Sequence, residues 1–420
     1  MIALKYSDVF VPGGFPSHTY NPRSSQQLET KLKEVLENLC KLVTVTGHTK
    51  SGKTVLVRTI LPKKESIWVE GGGIGSEDDF WNTIIDQLAL VQTTEFSNNM
   101  NITAELSASG RAGANFIFAK GEAEVGGTIG SSRDKGTSQT RIVSTKVTAL
   151  AGLKRSAIPL VIDDFHYLSR NLQGTIVRAL KPMIFDGLPV VIIAIPHRRY
   201  DALKVEKEMT GRILPIEVPT WTNDELRFIP ETGFSKLNST VSDSLLTKLA
   251  LEAIGSPHLM QEFCRAICRL HMNSDTFKGG PIDPPNELRD TIFRDTAETI
   301  GRPIFEKLAR GPRQRSDRIQ RRLVSGETVD IYGLVLRALA RLSPDLVTLE
   351  YEDLRGAIRD VSAKDPPQLH EVARVLKHMS EIAATDQSST PVIDFDEEDK
   401  RLHVTDPFFA FYLRWGSLDN

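Results

Sequence analysis

The chain has 420 residues and a mass of 46.7 kDa, more than one compact core holds, so two or three domains are expected. Hydrophobic residues at 40% and charged residues at 25% exclude collagen-like, low-complexity and wholly disordered classes. Lys+Arg 52 against Asp+Glu 54 leaves a net charge of −2, so no global cationic field draws the molecule onto nucleic acid or anionic lipid, and any such binding is local.

The first residues, MIALKYSDVFVPGG, lack the sustained apolar stretch of a secretory signal, and no segment nears the roughly 20 apolar residues a bilayer demands. Cys40, Cys264 and Cys268 are odd in number and lack a second Cys/His pair for zinc, so they read as reduced, helix-packed thiols of a cytoplasmic protein with no membrane partner.

Short apolar runs at 42–46, 66–70, 160–163, 190–195 and 213–218 alternate with helix-like segments. That alternation predicts an α/β fold with a five-stranded, mostly parallel sheet, because parallel strands need crossover connections and both sheet faces must be covered. Residues 98–143 interrupt the pattern with a stretch rich in Gly, Ala and Ser, an insertion that reads either as a projecting β-hairpin or as a surface excursion. From about 220 to 305 the periodicity is helical, as in SLLTKLALEAIG and HLMQEFCRAICRLHM. Beyond 306 come an Arg-rich linker, helical patterns in DIYGLVLRALARL and HEVARVLKHMSEIA, two β-prone segments around a charged turn, and an aromatic terminal segment. Helices followed by a short β pair predict a winged-helix module.

The strongest signal is Gly47, His48, Thr49, Lys50, Ser51, Gly52, Lys53 and Thr54, which fits GxxxxGK[ST] between a β-like LVTVT and a helical VLVRTIL. A phosphate-rich ligand needs backbone N–H donors converging at a helix N-terminus, and the glycines let the main chain turn closely around it. Lys53 then faces the β- and γ-phosphates, and the Thr54 hydroxyl serves Mg²⁺. About 110 residues on, the apolar run IPLVIDD ends in Asp163 and Asp164, at a strand's carboxyl end where ligands of open α/β sheets gather. Asp163 is the metal candidate. Asp164 is the general-base candidate for the attacking water, its charge offset by metal and Lys53.

These motifs resemble the Walker A and Walker B elements of the AAA+ and STAND branches of the P-loop ATPases, the double Asp being common in STAND members. The resemblance implies an ASCE-type P-loop NTPase core with ATP and Mg²⁺, a helical lid and a C-terminal winged helix. The corresponding units are 1–30 for nucleotide bracing, 31–219 for the core, 220–305 for the lid and 306–420 for linker and winged helix. It also implies roles for particular residues. Arg23, in TYNPRSSQQLETKL, sits where these families brace the nucleotide, the other reading being a polar loop before an ordinary helix. His197 or Arg198, in VVIIAIPHRR, occupies the γ-phosphate sensor position, or else belongs to a solvated basic pair. Arg212 corresponds to an arginine finger reaching a neighbouring subunit, or caps a helix C-terminus. Pro257 and His258, in GSPH, resemble the lid turn near adenine, or are a helix-starting Pro and a surface His.

Arg310, Arg313, Arg315, Arg318, Arg321 and Arg322 form a cationic strip opposed by Asp317, suited to nucleic-acid phosphates or else solvated and paired with acids. Three functions follow from the resemblance: an ATP-hydrolysing switch in prokaryotic signalling or phage defence, a DNA-binding initiator-like or transposition-type ATPase, and a nucleotide-holding scaffold without turnover. The partners implied are a homo-oligomer, DNA through 310–322 and the winged helix, and an effector carried by a separate chain.

Overall fold

The computed structural model describes residues 4–37, 39–99, 144–195, 211–271, 279–312, 318–342, 345, 348–384, 391–397 and 399–418. The sensor candidates His197 and Arg198, Arg313, Arg315 and Asp317 of the cationic strip, and all of the insertion beyond 99 lie outside these residues.

The five expected strands form one parallel sheet: β1 (Leu42–Thr46), β2 (Ile67–Glu70), β3 (Leu160–Asp163), β4 (Val190–Ala194) and β5 (Ile213–Glu217), in the order β2-β3-β4-β1-β5. Alternation along each strand sorts its side chains between two separate apolar layers. Leu42, Ile67, Val69, Leu160, Ile162, Val190 and Ile192 face the helices α2 (Glu77–Asn99), α3 (Thr145–Ser156) and α4 (Arg170–Phe185). Val43, Val45, Trp68, Val161, Val191 and Ile193 face α1 (Lys53–Ile60) and the short helix Leu28–Lys33. Because the helix after β1 lies on one face and those after β2 and β3 on the other, a crevice opens at the carboxyl ends of the central strands.

The second half is helical, as its periodicity requires. It comprises α5 (Asn223–Lys236), α6 (Asp243–Glu252), α7 (Pro257–His271), α8 (Asn286–Ile300), α9 (Arg302–Arg310), α10 (Ile331–Arg341), α11 (Tyr351–Val361), α12 (Leu369–Ala384) and α13 (Pro407–Trp415). Three short antiparallel strands, β6 (Thr348–Glu350), β7 (Ile393–Asp396) and β8 (Arg401–Val404), pair in the order β6-β8-β7, the last two flanking the expected charged turn.

A boundary between lid and C-terminal unit at 305/306 does not divide the apolar core. One continuous cluster runs from Val9 and Phe10 through Leu226, Leu259 and Phe263 to Phe305, Leu339, Leu376 and Phe411. Rings of the lid and the terminal helix interleave: Phe263 and Phe293 pack on Phe411, Phe293 on Trp415 and Phe305 on Tyr412, with centroids 4.9 to 6.2 Å apart. Lid and C-terminal unit are therefore one packed body, and the sheet with its helices is another. Cys264 and Cys268 are buried in α7 as expected, while Cys40 lies in the turn before β1 with φ of 51° rather than in a helix.

Candidate nucleotide site

The chain leaves β1 at Thr46, makes the glycine-bounded turn, and enters α1 at Lys53. Gly52 has φ of 91°, a left-handed conformation that a side chain disfavours, and it caps the helix whose first amides point into the crevice. Gly47 is needed for another reason: a Cβ there would lie 2.7 Å from the Val218 carbonyl oxygen. The loop is braced from behind, where Trp221 donates its indole N–H to the Ser51 carbonyl at 2.9 Å.

A cavity of about 530 Å³ opens in front of this loop. Thr49, Lys50, Gly52, Lys53 and Thr54 line it, with Asp163 and Asp164 opposite. Gly47, His48 and Ser51 form the back of the turn and do not reach its wall. The Lys53 ammonium donates to the Gly47 and His48 carbonyls at 2.9 and 2.7 Å. Burial pulls its pKa down to about 8, partly opposed by the charges of Asp164 and Asp163. Burial, then Lys53, lowers His48 as well.

Asp163 ends β3, buried, and accepts from the Asp164 N–H at 2.9 Å and from the Thr54 hydroxyl. Burial and the neighbouring Asp164 charge push it up to about 6. Asp164 turns away with φ of 51°, and its pKa is raised by burial, lowered by Lys53 and raised by Glu70. Two carboxylates and a hydroxyl crowded beside a buried ammonium suit a cation with phosphate oxygens, so the donor set fits Mg²⁺ with a nucleoside triphosphate. Thr54 and Asp163 would hold the metal, which supplies charge neutralisation at the β- and γ-phosphates.

The far end of the cavity is lined by Val11, Gly13, Phe15, Tyr20, Asn21 and Trp221, and by Pro257, His258 and Gln261 of the lid. Pro257 and His258 therefore line the same cavity as the phosphate loop. Gln261 fastens the N-terminal segment to α7, accepting from the Val11 N–H at 3.1 Å and donating to the Thr19 hydroxyl at 2.7 Å.

Arg23 is a correction: it is absent from the cavity wall. Its guanidinium donates to the Pro219 and Thr220 carbonyls, pairs with Glu225 at 2.8 Å and stacks on Trp221, with only 3% of the side chain exposed. It clamps the leading segment to the start of α5, and the neighbouring Tyr20 and Asn21 reach the cavity instead. Arg212 precedes β5, at the edge of the sheet opposite the cavity, where it lies 5.2 Å from the ring of Phe185. It cannot serve its own site.

The cationic strip is also spent internally in part. Arg318 pairs with Asp330 at 2.7 Å and stacks on Tyr332, and Arg321 pairs with Glu371 at 3.2 Å.

Two contributors escaped the sequence reading. Glu70 lines the cavity beside Asp163, and the same logic that selected Asp163, an acid closing an apolar strand, applies to it. Asp406, far along the chain, caps α13 and pairs with Lys50.

No family model matches the sequence, and no curated protein matches it. Among solved structures, the Walker-type ATPase of Pyrococcus abyssi aligns over 92% of this chain and 94% of its own, with TM-score 0.52 and 15% identity. The chain has a P-loop NTPase fold. At that identity the P-loop ATPase likeness concerns fold alone. Cdc6p from Pyrobaculum aerophilum (TM-score 0.41, 13% identity, 98% of each chain) and the Aeropyrum pernix Orc1 protein in complex with DNA (0.45, 13%, 97% and 96%) also match, with TM-scores that add no weight. No helix among the described residues is long and apolar enough to cross a membrane.

Proposed function

We propose that this P-loop protein is an ATP-binding and ATP-hydrolysing switch. The cavity supports binding: Lys53 and the α1 amides suit the phosphates, Thr54 and Asp163 suit Mg²⁺, and Asp164 stands across from them as base. Signalling or phage defence is the setting that the STAND resemblance implies.

The observation that carries the switch is the contact between Lys50 and Asp406. Lys50 belongs to the phosphate loop, has φ of 58°, a strained conformation for a residue with a side chain, and pairs at 2.9 Å with the carboxylate capping α13. Its ammonium lies 3.4 Å from the Phe408 ring centroid, and Phe408 in turn meets His258 edge-on at 4.9 Å. The loop that would bind phosphate and the body carrying the C-terminal unit therefore share one cation. A ligand moves a two-state protein only by binding one arrangement better, and phosphate competing with Asp406 for Lys50 supplies that difference. Because lid and C-terminal unit share a core, they move as one.

The test is a distance between labels on α4 and α12, read with no nucleotide, with ADP and with Mg·ATP. A change with Mg·ATP that Lys53→Ala abolishes supports the switch; indifference to nucleotide removes it. Phosphate release by the wild type, absent in Asp164→Asn, separates the enzyme from a non-hydrolysing scaffold.

A DNA-bound ATPase is the second reading, on the strength of the antiparallel strand trio and its helices, which have the make-up of a winged helix. With Arg318 and Arg321 committed to acids, the described strip offers Arg310 and Arg322. Steeply salt-dependent DNA affinity would favour this reading, and none at low ionic strength would exclude it.

A further inference from the structure

We propose that Glu70 is a further catalytic carboxylate of the hydrolytic site, placed to hold the attacking water beside Asp164. The inference rests on the ATPase reading above.

Position comes first. Glu70 ends β2 and is in register with Asp163 at the end of β3, so both emerge at the same height on the sheet edge that carries the phosphate loop. Alternation settles the face. Trp68 and Val161 belong to the apolar layer beneath α1, and Glu70 and Asp163, each two residues further on, point the same way. Glu70 therefore opens toward the helix bearing Lys53 and Thr54, and it lines their cavity.

The approach of β2 to the Asp163–Asp164 turn is unusually close. A Cβ on Gly71, the next residue, would lie 2.4 Å from the Asp164 carbonyl oxygen. The missing side chain lets the two strand ends meet, close enough for the charge of Glu70 to be felt at Asp164.

The roles divide by accessibility. Asp163 is buried and spends its oxygens on the Asp164 N–H and the Thr54 hydroxyl. Glu70 has 68% of its side chain exposed and has the longer arm, so it stands where water enters. Its partner, Lys63, is a half-exposed surface cation at 2.9 Å, a kind of pair that contributes little to stability. In the reaction the water oxygen bonds to the γ-phosphorus as the bond to the β,γ-bridging oxygen breaks. That electron pair leaves with ADP, and the water proton passes to Asp164, the base assigned above, while the Glu70 carboxylate accepts the water's other hydrogen bond and holds its oxygen toward the γ-phosphorus.

The experiment measures phosphate release and Mg·ATP affinity for wild type, Glu70→Gln and Lys63→Ala. Glu70→Gln is expected to lower kcat about a hundredfold while Kd stays within threefold. Lys63→Ala removes the same ion pair from its other side and should keep kcat within threefold. The proposal is overturned if Glu70→Gln turns over within threefold of wild type, or if Lys63→Ala loses as much, since the ion pair alone would then explain the effect. A wild type that binds Mg·ATP without releasing phosphate overturns the hydrolytic reading and Glu70 with it. An active wild type with an active Glu70→Gln overturns Glu70 alone.

Discussion

If phosphate and Asp406 compete for Lys50, removing the Asp406 charge must strengthen nucleotide binding. Asp406→Asn is the informative substitution because it separates the two jobs of this residue. The carboxylate accepts from the Phe408 and Phe409 amides at 2.8 and 3.0 Å, and Asn caps a helix about as well as Asp, so α13 stays anchored. What is lost is the charge opposite Lys50. The pair is partly buried, with side-chain exposures of 29% for Lys50 and 9% for Asp406. A hydrogen bond to a charged group contributes about 1.5–3 kcal/mol, and a retained neutral bond with some solvent screening leaves a net loss of about 1–1.4 kcal/mol. At 1.4 kcal/mol per decade, Mg·ATP should bind five- to tenfold more tightly to the variant, by calorimetry. Melting should remain within a few degrees of wild type. An unchanged or weakened Kd in a normally melting variant would refute the competition and leave the contact a mere interdomain tie.

Two further outcomes follow from the site. Lys53 is held at about 8, below its ordinary 10.5, so the unliganded fold favours its neutral form and gains stability as pH rises from about 8 toward 10.5. A triphosphate favours the ammonium instead, so affinity should be level below pH 8 and fall about tenfold per pH unit above it, with near one proton taken up per nucleotide at pH 9. Calorimetry in buffers of different ionisation enthalpy measures that uptake, and a flat profile without it contradicts the assigned position of the lysine. Gly71→Ala forces a Cβ against the Asp164 carbonyl and should destabilise by about 1–3 kcal/mol, lowering the melting temperature by several degrees and turnover further still. A variant that melts and turns over normally would show that the strand ends are free to part.

What the sequence by itself determined is what neighbouring residues decide. Strand-length apolar runs separated by helical periods announced the parallel sheet, with boundaries within a residue, because period and length are properties of adjacent positions. The glycine-bounded loop from Gly47 to Thr54 and the acids closing β3 were legible for the same reason: a phosphate turn and a strand end are each a few consecutive residues. Arg23 was misread since motif position says nothing about which partner a guanidinium finds, and Glu225 and Trp221 lie some two hundred residues away. Tertiary structure alone decided that Lys50 meets Asp406 356 residues later, that Glu70 stands level with Asp163, and that lid and C-terminal unit share one core. Contacts of that span leave no period in the chain, because they arise when independently formed faces bury against each other and chain distance ceases to matter.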